Sequence, residues 1–201
     1  QAPAIASAGA ATFTVGTAGS FTVTTSGYPT PAVTRSGTLP AGVSFTDNGN
    51  GTATLAGTPS AGSDGTYALT ITANNGVSPV ATQSFALTVQ ERPAIASAGA
   101  AAFTVGTAGT FTVTTSGYPN PALTQSGALP AGVTFTDNGN GTATVAGTPA
   151  AGAGDVYALN ITAANGLSPN ATQLFALTVE AGTPPATGDT TYLPLILRSS
   201  G

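Results

Sequence analysis

Val43-Ser44-Phe45-Thr46-Asp47-Asn48-Gly49-Asn50-Gly51-Thr52-Ala53-Thr54-Leu55 is the stretch whose reading decides the fold. Apolar Val43 and Phe45 alternate with Ser44 and Thr46, the period of two that marks a strand with one buried face. Two Asn-Gly steps follow, the favoured signal for positive φ in a tight hairpin, and a second strand resumes at Thr52. The stretch therefore reads as strand, turn, strand. It returns 90 positions later as Val133-Thr134-Phe135-Thr136-Asp137-Asn138-Gly139-Asn140-Gly141-Thr142-Ala143-Thr144-Val145.

Working outward, every residue from Gln1 to Gln90 has a counterpart 90 positions on, without insertion or deletion, and about 69 of the 90 pairs are identical. The chain is thus two tandem units with a tail. Within each unit the same alternation recurs: Phe21, Val23 and Thr25; Tyr67, Leu69 and Ile71; Phe85, Leu87 and Val89. Phe13 to Val15, Ala32 to Arg35 and Thr52 to Leu55 bring the total to about seven short strands, with helical spacing nowhere sustained. The expected fold is all-β: two immunoglobulin-like β-sandwich domains, 1-90 and 91-180, a spacer over 181-189, and an extended strand in 190-201.

Three blocks carry a family resemblance. Leu39-Pro40-Ala41-Gly42-Val43-Ser44-Phe45, Gly51-Thr52-Ala53-Thr54-Leu55-Ala56-Gly57-Thr58-Pro59 and Gly65-Thr66-Tyr67-Ala68-Leu69-Thr70-Ile71-Thr72-Ala73 resemble the bacterial putative-Ig (immunoglobulin-like) tandem repeats of exported cell-surface proteins. The second unit repeats them with Leu129 to Phe135, Gly147-Thr148-Pro149 and Val156 to Thr162. The resemblance implies exported structural and adhesive roles, usually in arrays, and brings no catalytic residues. Tyr67 stands where an immunoglobulin tyrosine corner would lie, and Leu69 where an antibody domain has a disulfide cysteine. With no Cys in the chain, packing must hold the core through Phe21, Val23, Leu55, Leu69, Ile71, Phe85, Leu87 and their copies. Each such burial is worth roughly 1.5 to 3 kcal/mol.

Composition bounds the function. His, Cys, Met and Trp are absent, the basic residues are Arg35, Arg92 and Arg198, and the net charge is -4 with 5% charged residues. That disfavours a nucleic-acid footprint, which needs clustered Lys and Arg, and binding to an anionic membrane surface. No apolar run approaches the ~20 residues of a membrane helix, so no direct membrane insertion is expected. A Gln at the first position and a surface of Thr, Ser, Gly, Ala and Asn fit an extracellular or cell-surface protein, exported with its signal peptide removed.

Val89-Gln90-Glu91-Arg92-Pro93-Ala94 joins the units without a Gly/Ser-rich linker. Pro93 restricts φ and biases Arg92 toward extended backbone, so a stiff, elongated pair of domains is expected. After the Pro, Gly and Thr spacer comes Tyr192-Leu193-Pro194-Leu195-Ile196-Leu197, the most apolar stretch, with no counterpart in either unit. Left in water it is an aggregation hazard. Three destinations are open: its own second domain, export machinery as a sorting signal, or a neighbouring copy by β-strand addition, which we favour. Pro194 lacks a donor, which suits an edge strand.

The remaining motifs are weaker. Asp47 to Thr52 and Asp137 to Thr142 offer oxygen ligands but one carboxylate each and no bidentate Glu, so they read as hairpin turns rather than calcium loops. Asn50, Asn140, Asn160 and Asn170 begin glycosylation sequons, and O-linked sugar on Thr and Ser is a further expectation. Tyr28 and Tyr118 lie in Gly-Tyr-Pro turns, where the ring either stacks on a sugar or packs against its proline. No Ser has a His to activate it and no acid pair is close in sequence, so neither catalysis nor a cofactor is expected. Two functional readings follow. One is the subunit of a pilus-like extracellular filament, a homopolymer joined by the tail strand. The other is a non-enzymatic adhesin or carbohydrate-binding module that meets surface glycans within an Ig-like array.

Overall fold

The computed structural model describes residues 1–182, so the segment Tyr192 to Leu197 and most of the spacer lie outside the described residues. All regular elements described are strands. In chain order the first domain contains β1 (Ala4–Ile5), β2 (Ala10–Thr14), β3 (Gly19–Ser26), β4 (Ala32–Ser36), β5 (Val43–Asp47), β6 (Thr52–Gly57), β7 (Gly65–Asn74) and β8 (Ala81–Ile95). One sheet runs β1-β3-β6-β5, and the facing sheet places β8 between β2 and β7, with β4 at its far edge. Only β2 pairs parallel, with Phe13 opposite Val89. Two sheets packed face to face make the sandwich that the alternation anticipates.

The second domain repeats this layout with β9 (Ala100–Thr104), β10 (Gly109–Tyr118), β11 (Ala122–Ser126), β12 (Val133–Asp137), β13 (Thr142–Gly147), β14 (Val156–Ala164) and β15 (Ala171–Glu180). Its facing sheet is β11-β14-β15-β9. Its other sheet is completed by the last residues of β8, which pair with β10 through Thr115↔Ile95, Ser116↔Ala94 and, past a bulge, Tyr118↔Glu91. The strand that closes the first domain therefore opens the second without a break. One sheet consequently spans both domains.

Each domain has its own core. Phe13, Val23, Val33, Leu55, Leu69, Ile71, Phe85, Leu87 and Val89 are buried in the first. Phe103, Val113, Leu123, Val145, Leu159, Ile161, Phe175, Leu177 and Val179 fill the second. Phe21 of one sheet meets Phe85 of the other with ring centroids 5.0 Å apart, as do Phe111 and Phe175, the tilted geometry that aromatic quadrupoles favour.

One feature departs from the seven-strand expectation. The first strand is split, so that β1 pairs with β3 while β2 crosses to the other sheet beside β8. Gln83 of β8 holds the crossing point, its Nε2 donating to the Ser7 carbonyl at 3.0 Å, and Gln173 does the same for Ser97 at 2.9 Å.

The sequence blocks acquire a physical meaning here. Thr58 N–H donates to the Gly42 carbonyl at 3.0 Å and Ser60 N–H to the Ala41 carbonyl at 3.0 Å, drawing the start of β5 onto the end of β6. A Cβ on Gly57 would lie 2.1 Å from the Gly42 oxygen, and one on Gly42 2.1 Å from the Thr58 oxygen. Both glycines hold φ in the left-handed half of the map, at 150° and 85°. The two blocks are thus the two sides of one backbone contact.

Candidate functional site

The hairpin turns use their polar groups internally. Asp47 accepts from Gly49 N–H through Oδ1 at 3.0 Å and from Val33 N–H through Oδ2 at 3.0 Å, so its carboxylate stitches the turn to β4. Asp137 repeats this with Gly139 and Leu123. Asn50 Oδ1 accepts from both the N–H and the hydroxyl of Thr52, at 3.1 and 2.7 Å. These are Asx turns whose oxygens already have donors, which fits the hairpin reading better than a calcium loop. No group of three or more His, Cys, Asp or Glu that could hold a metal occurs among the described residues.

The four sequon asparagines are exposed but differently placed. Asn50 and Asn140 sit in the hairpin turns. Asn160 lies on β14 directly opposite Leu174, and Asn170 immediately precedes β15. A groove of about 420 Å³ on the first domain is lined by Gly9, Ala68, Leu69, Thr70, Ser84, Phe85 and Ala86, none of which ionises in the range of acid-base catalysis.

Both tyrosine corners form. Tyr67 donates its hydroxyl proton to the Ser63 carbonyl at 3.0 Å, and Tyr157 to the Ala153 carbonyl at 3.1 Å. They close the base of each domain, the end where β7 and β14 begin.

The base of the first domain meets the tip of the second at the joint. Tyr118 and Thr66 share a hydrogen bond of 3.2 Å between hydroxyls. Asn165 Nδ2 donates to the Glu91 carbonyl at 2.8 Å and to the Pro119 carbonyl at 3.0 Å, fixing the tip loops to the incoming strand. Glu91 sits beside Asp64, and its carboxyl is raised from its ordinary value, first by partial burial and then by the Asp64 carboxylate.

The first domain has the same tip. Asn75 Nδ2 donates to the Gln1 and Pro29 carbonyls at 2.9 and 2.8 Å, as Asn165 does in the second. Tyr28, the counterpart of Tyr118, is nevertheless 78% exposed. The two Gly-Tyr-Pro turns are alike in sequence, and nothing local distinguishes them. The difference is whether a base is packed on the ring. Arrangements of this kind position and join modules, and no described cluster of side chains combines a nucleophile with a base.

Among the described residues no helix is long and apolar enough to cross a membrane. The solved structures similar to this chain include the titin Ig tandem domains, at 16% identity and a TM-score of 0.57, covering 90% of this chain and 98% of that one. An I-band fragment of titin matches at 16% identity and a TM-score of 0.51, covering 90% of this chain and 64% of that one. At these identities the likeness is one of fold. No curated protein matches the chain in sequence. The family model described as Putative Ig domain matches residues 2–90 and again 92–180, and the chain belongs to that family as a tandem pair of immunoglobulin-like domains.

Proposed function

We propose that this protein is the structural subunit of an extracellular, pilus-like filament, polymerising head-to-tail by adding its C-terminal segment, Tyr192 to Leu197, as a strand to a neighbouring subunit. The observation that carries the reading is a sheet edge. Among the described residues β11 has β14 as its one strand partner, and although its Leu123 N–H is taken by the Asp137 carboxylate, the edge offers backbone for main-chain pairing beyond that residue. The equivalent edge of the first domain, β4, bears Arg35, a charge of the kind that guards edges, where β11 has Gln125. The second domain is the better acceptor on this ground. Such a contact joins different surfaces of identical chains and so continues into an open fibre unless a rotation closes it. Tandem immunoglobulin-like domains linked by an uninterrupted strand suit a load-bearing or spacing role, and a surface almost without charge suits an exported, glycan-decorated protein.

Negative-stain electron microscopy of the full-length chain and of the chain truncated after Asp189 tests the proposal. Filaments that vanish on truncation are expected. Filaments that persist without the segment would sink tail addition.

A second reading, a non-enzymatic adhesin or carbohydrate-binding module, is favoured by one observation, the 78% exposed ring of Tyr28. Saturable glycan binding by the truncated chain, lost in Tyr28→Ala, would support it. Absence of binding across a broad glycan panel would remove it.

A further inference from the structure

The chain contains six Asn-Gly steps, 48–49, 50–51, 75–76, 138–139, 140–141 and 165–166. Such a step is chemically labile, because glycine has no Cβ to shield its backbone nitrogen from the amide carbon of the preceding asparagine. The fold treats the six differently. Asn48 directs Nδ2 to the hydroxyls of Thr52 and Thr54 at 2.8 and 3.1 Å, and Asn138 directs its own to Thr142 and Thr144 at 2.9 and 3.1 Å. Asn75 and Asn165 each spend Nδ2 on two backbone carbonyls. The N–H groups of Gly49, Gly139 and Gly76 are taken by the side chains of Asp47, Asp137 and Asn74. At these four asparagines the nitrogen that would have to leave is held, and at three of them so is the nitrogen that would have to attack.

Asn50 and Asn140 are the reverse case. Among the described residues neither Nδ2 donates a hydrogen bond, and neither does the N–H of Gly51 or Gly141. Their Oδ1 atoms instead accept twice. Asn50 Oδ1 takes the Thr52 N–H at 3.1 Å and the Thr52 hydroxyl at 2.7 Å, and Asn140 repeats both distances with Thr142. Two donors thus sit where negative charge would develop if a nucleophile added to Cγ, the arrangement that stabilises an oxyanion. Asn48, donating to the same Thr52 hydroxyl, polarises it further. The attacking side is fixed as well. The Gly51 carbonyl accepts from the N–H and hydroxyl of Thr25 at 3.0 and 2.7 Å, and the Gly141 carbonyl from those of Thr115 at 3.1 and 2.6 Å. The Asx turn then folds the side-chain carbonyl back over the glycine peptide. Both asparagines are exposed, so water has access.

We propose that Asn50 and Asn140 are sites of self-modification through a succinimide, each hairpin acting on its own asparagine with Thr52 or Thr142 supplying the oxyanion donors. The Gly51 nitrogen gives its proton to solvent base and bonds to Asn50 Cγ, while the carbonyl π pair moves onto Oδ1. That pair returns as the bond from Cγ to Nδ2 breaks, and Nδ2 leaves with a proton from water as ammonia. Water then opens the five-membered imide at one carbonyl to aspartate or at the other to isoaspartate, so that one water is taken up for each ammonia released. Each conversion adds a negative charge to a chain of net charge -4, in a turn that already carries Asp47 or Asp137. The isoaspartate product also inserts a main-chain methylene between β5 and β6, or between β12 and β13. An N-linked sugar would occupy the same Nδ2, so sugar and conversion exclude one another at these sequons. The reaction is independent of how the chain assembles.

Incubation of the full-length chain in mildly alkaline buffer, folded and in urea, tests the assignment. Tandem mass spectrometry of thermolytic peptides reads the six steps separately, and enzymatic methylation scores isoaspartate. In urea the six should convert at similar rates. In the folded chain Asn50 and Asn140 should lead, with the other four behind by roughly tenfold or more, the worth of the hydrogen bonds each must first break. Thr52→Val should slow Asn50 by roughly three- to tenfold while Asn140 keeps its rate, and Thr52→Ser, which restores the hydroxyl, should recover the parent rate. Thr142→Val is the mirror experiment. Were the threonine bonds only a restraint on the side chain, valine would quicken the reaction. An unchanged or faster rate at Asn50 in Thr52→Val, or any other of the six leading in the folded parent, would overturn the assignment. If Thr52→Val loses hydrogen-exchange protection in its domain, the ranking in the parent and the Thr142→Val variant decide.

Discussion

The two domains share about 69 of 90 residues in register, yet they are nowhere less alike than in the loop leading to the tyrosine corner. Ser60-Ala61-Gly62-Ser63-Asp64-Gly65-Thr66 in the first becomes Ala150-Ala151-Gly152-Ala153-Gly154-Asp155-Val156 in the second. The backbone turn survives, with Ser63 N–H on the Ser60 carbonyl and Ala153 N–H on the Ala150 carbonyl, both at 3.1 Å. What changes is the side-chain chemistry. Ser63 is buried and donates its hydroxyl to Ser60 at 2.6 Å, a bond that Ala153 cannot make. In the first domain Thr66, at the end of this loop, meets Tyr118 of the second domain. The framework is set by backbone contacts and core packing that both copies keep, whereas the differences concentrate in the loop that, in the first domain, meets the other domain.

The largest way to break the comparison is to disrupt the framework in one copy. Gly57→Ala places a methyl group 2.1 Å from the Gly42 oxygen and forces a left-handed φ on alanine. It should cost about 3 kcal/mol. Amide hydrogen exchange read domain by domain should show protection lost in the first domain and kept in the second. Equal loss in both would mean that the cores are not independent. Gly147→Ala, with 2.0 Å to the Gly132 oxygen, is the mirror experiment.

Tyr67→Phe and Tyr157→Phe come next. Their hydrogen bonds have nearly the same length, so each should destabilise its own domain by about 1 kcal/mol in urea titrations. A large difference between them would show that the loop chemistry reaches the corner. Ser63→Ala, which gives the first domain the residue of the second, should cost roughly 0.5 to 1 kcal/mol. No measurable cost would make the buried hydroxyl irrelevant to the difference between the copies.

The smallest effect concerns pH. Burial and then Asp64 raise the Glu91 carboxyl in the folded chain, so the folded joint favours the protonated form. That contribution is fully present below the ordinary Glu range and is lost as pH rises through the raised value. The joint should therefore be tightest in mild acid, and Glu91→Gln should remove the dependence. Chemical shifts of Thr66 and Tyr118 followed against pH check the sign, and a joint that loosens in acid would contradict it.

The legible parts were local. Alternation located β3, β7 and the end of β8, two Asn-Gly steps located the hairpins, and the missing linker before Arg92 foretold a strand running from one domain into the next. The place of Tyr67 at the start of its strand marked the tyrosine corner. The split first strand was not legible, because the Ser7 crossing point is held by Gln83, 76 residues away. Nor was the contrast between Tyr28 and Tyr118, since identical turns acquire different burial only when Thr66 arrives from the other domain. The carboxylates of Asp47 and Asp137 read correctly as turn residues, but their bonds to β4 and β11 depend on the packing of the two sheets.

One uninterrupted strand, β8, joins the two domains, and the central prediction is that it makes them a single strut. Backbone ¹⁵N relaxation of the chain at a concentration where it is monomeric measures this directly. Both domains should report one elongated rotational-diffusion tensor. Separate, faster tensors for residues before and after the joint would contradict it.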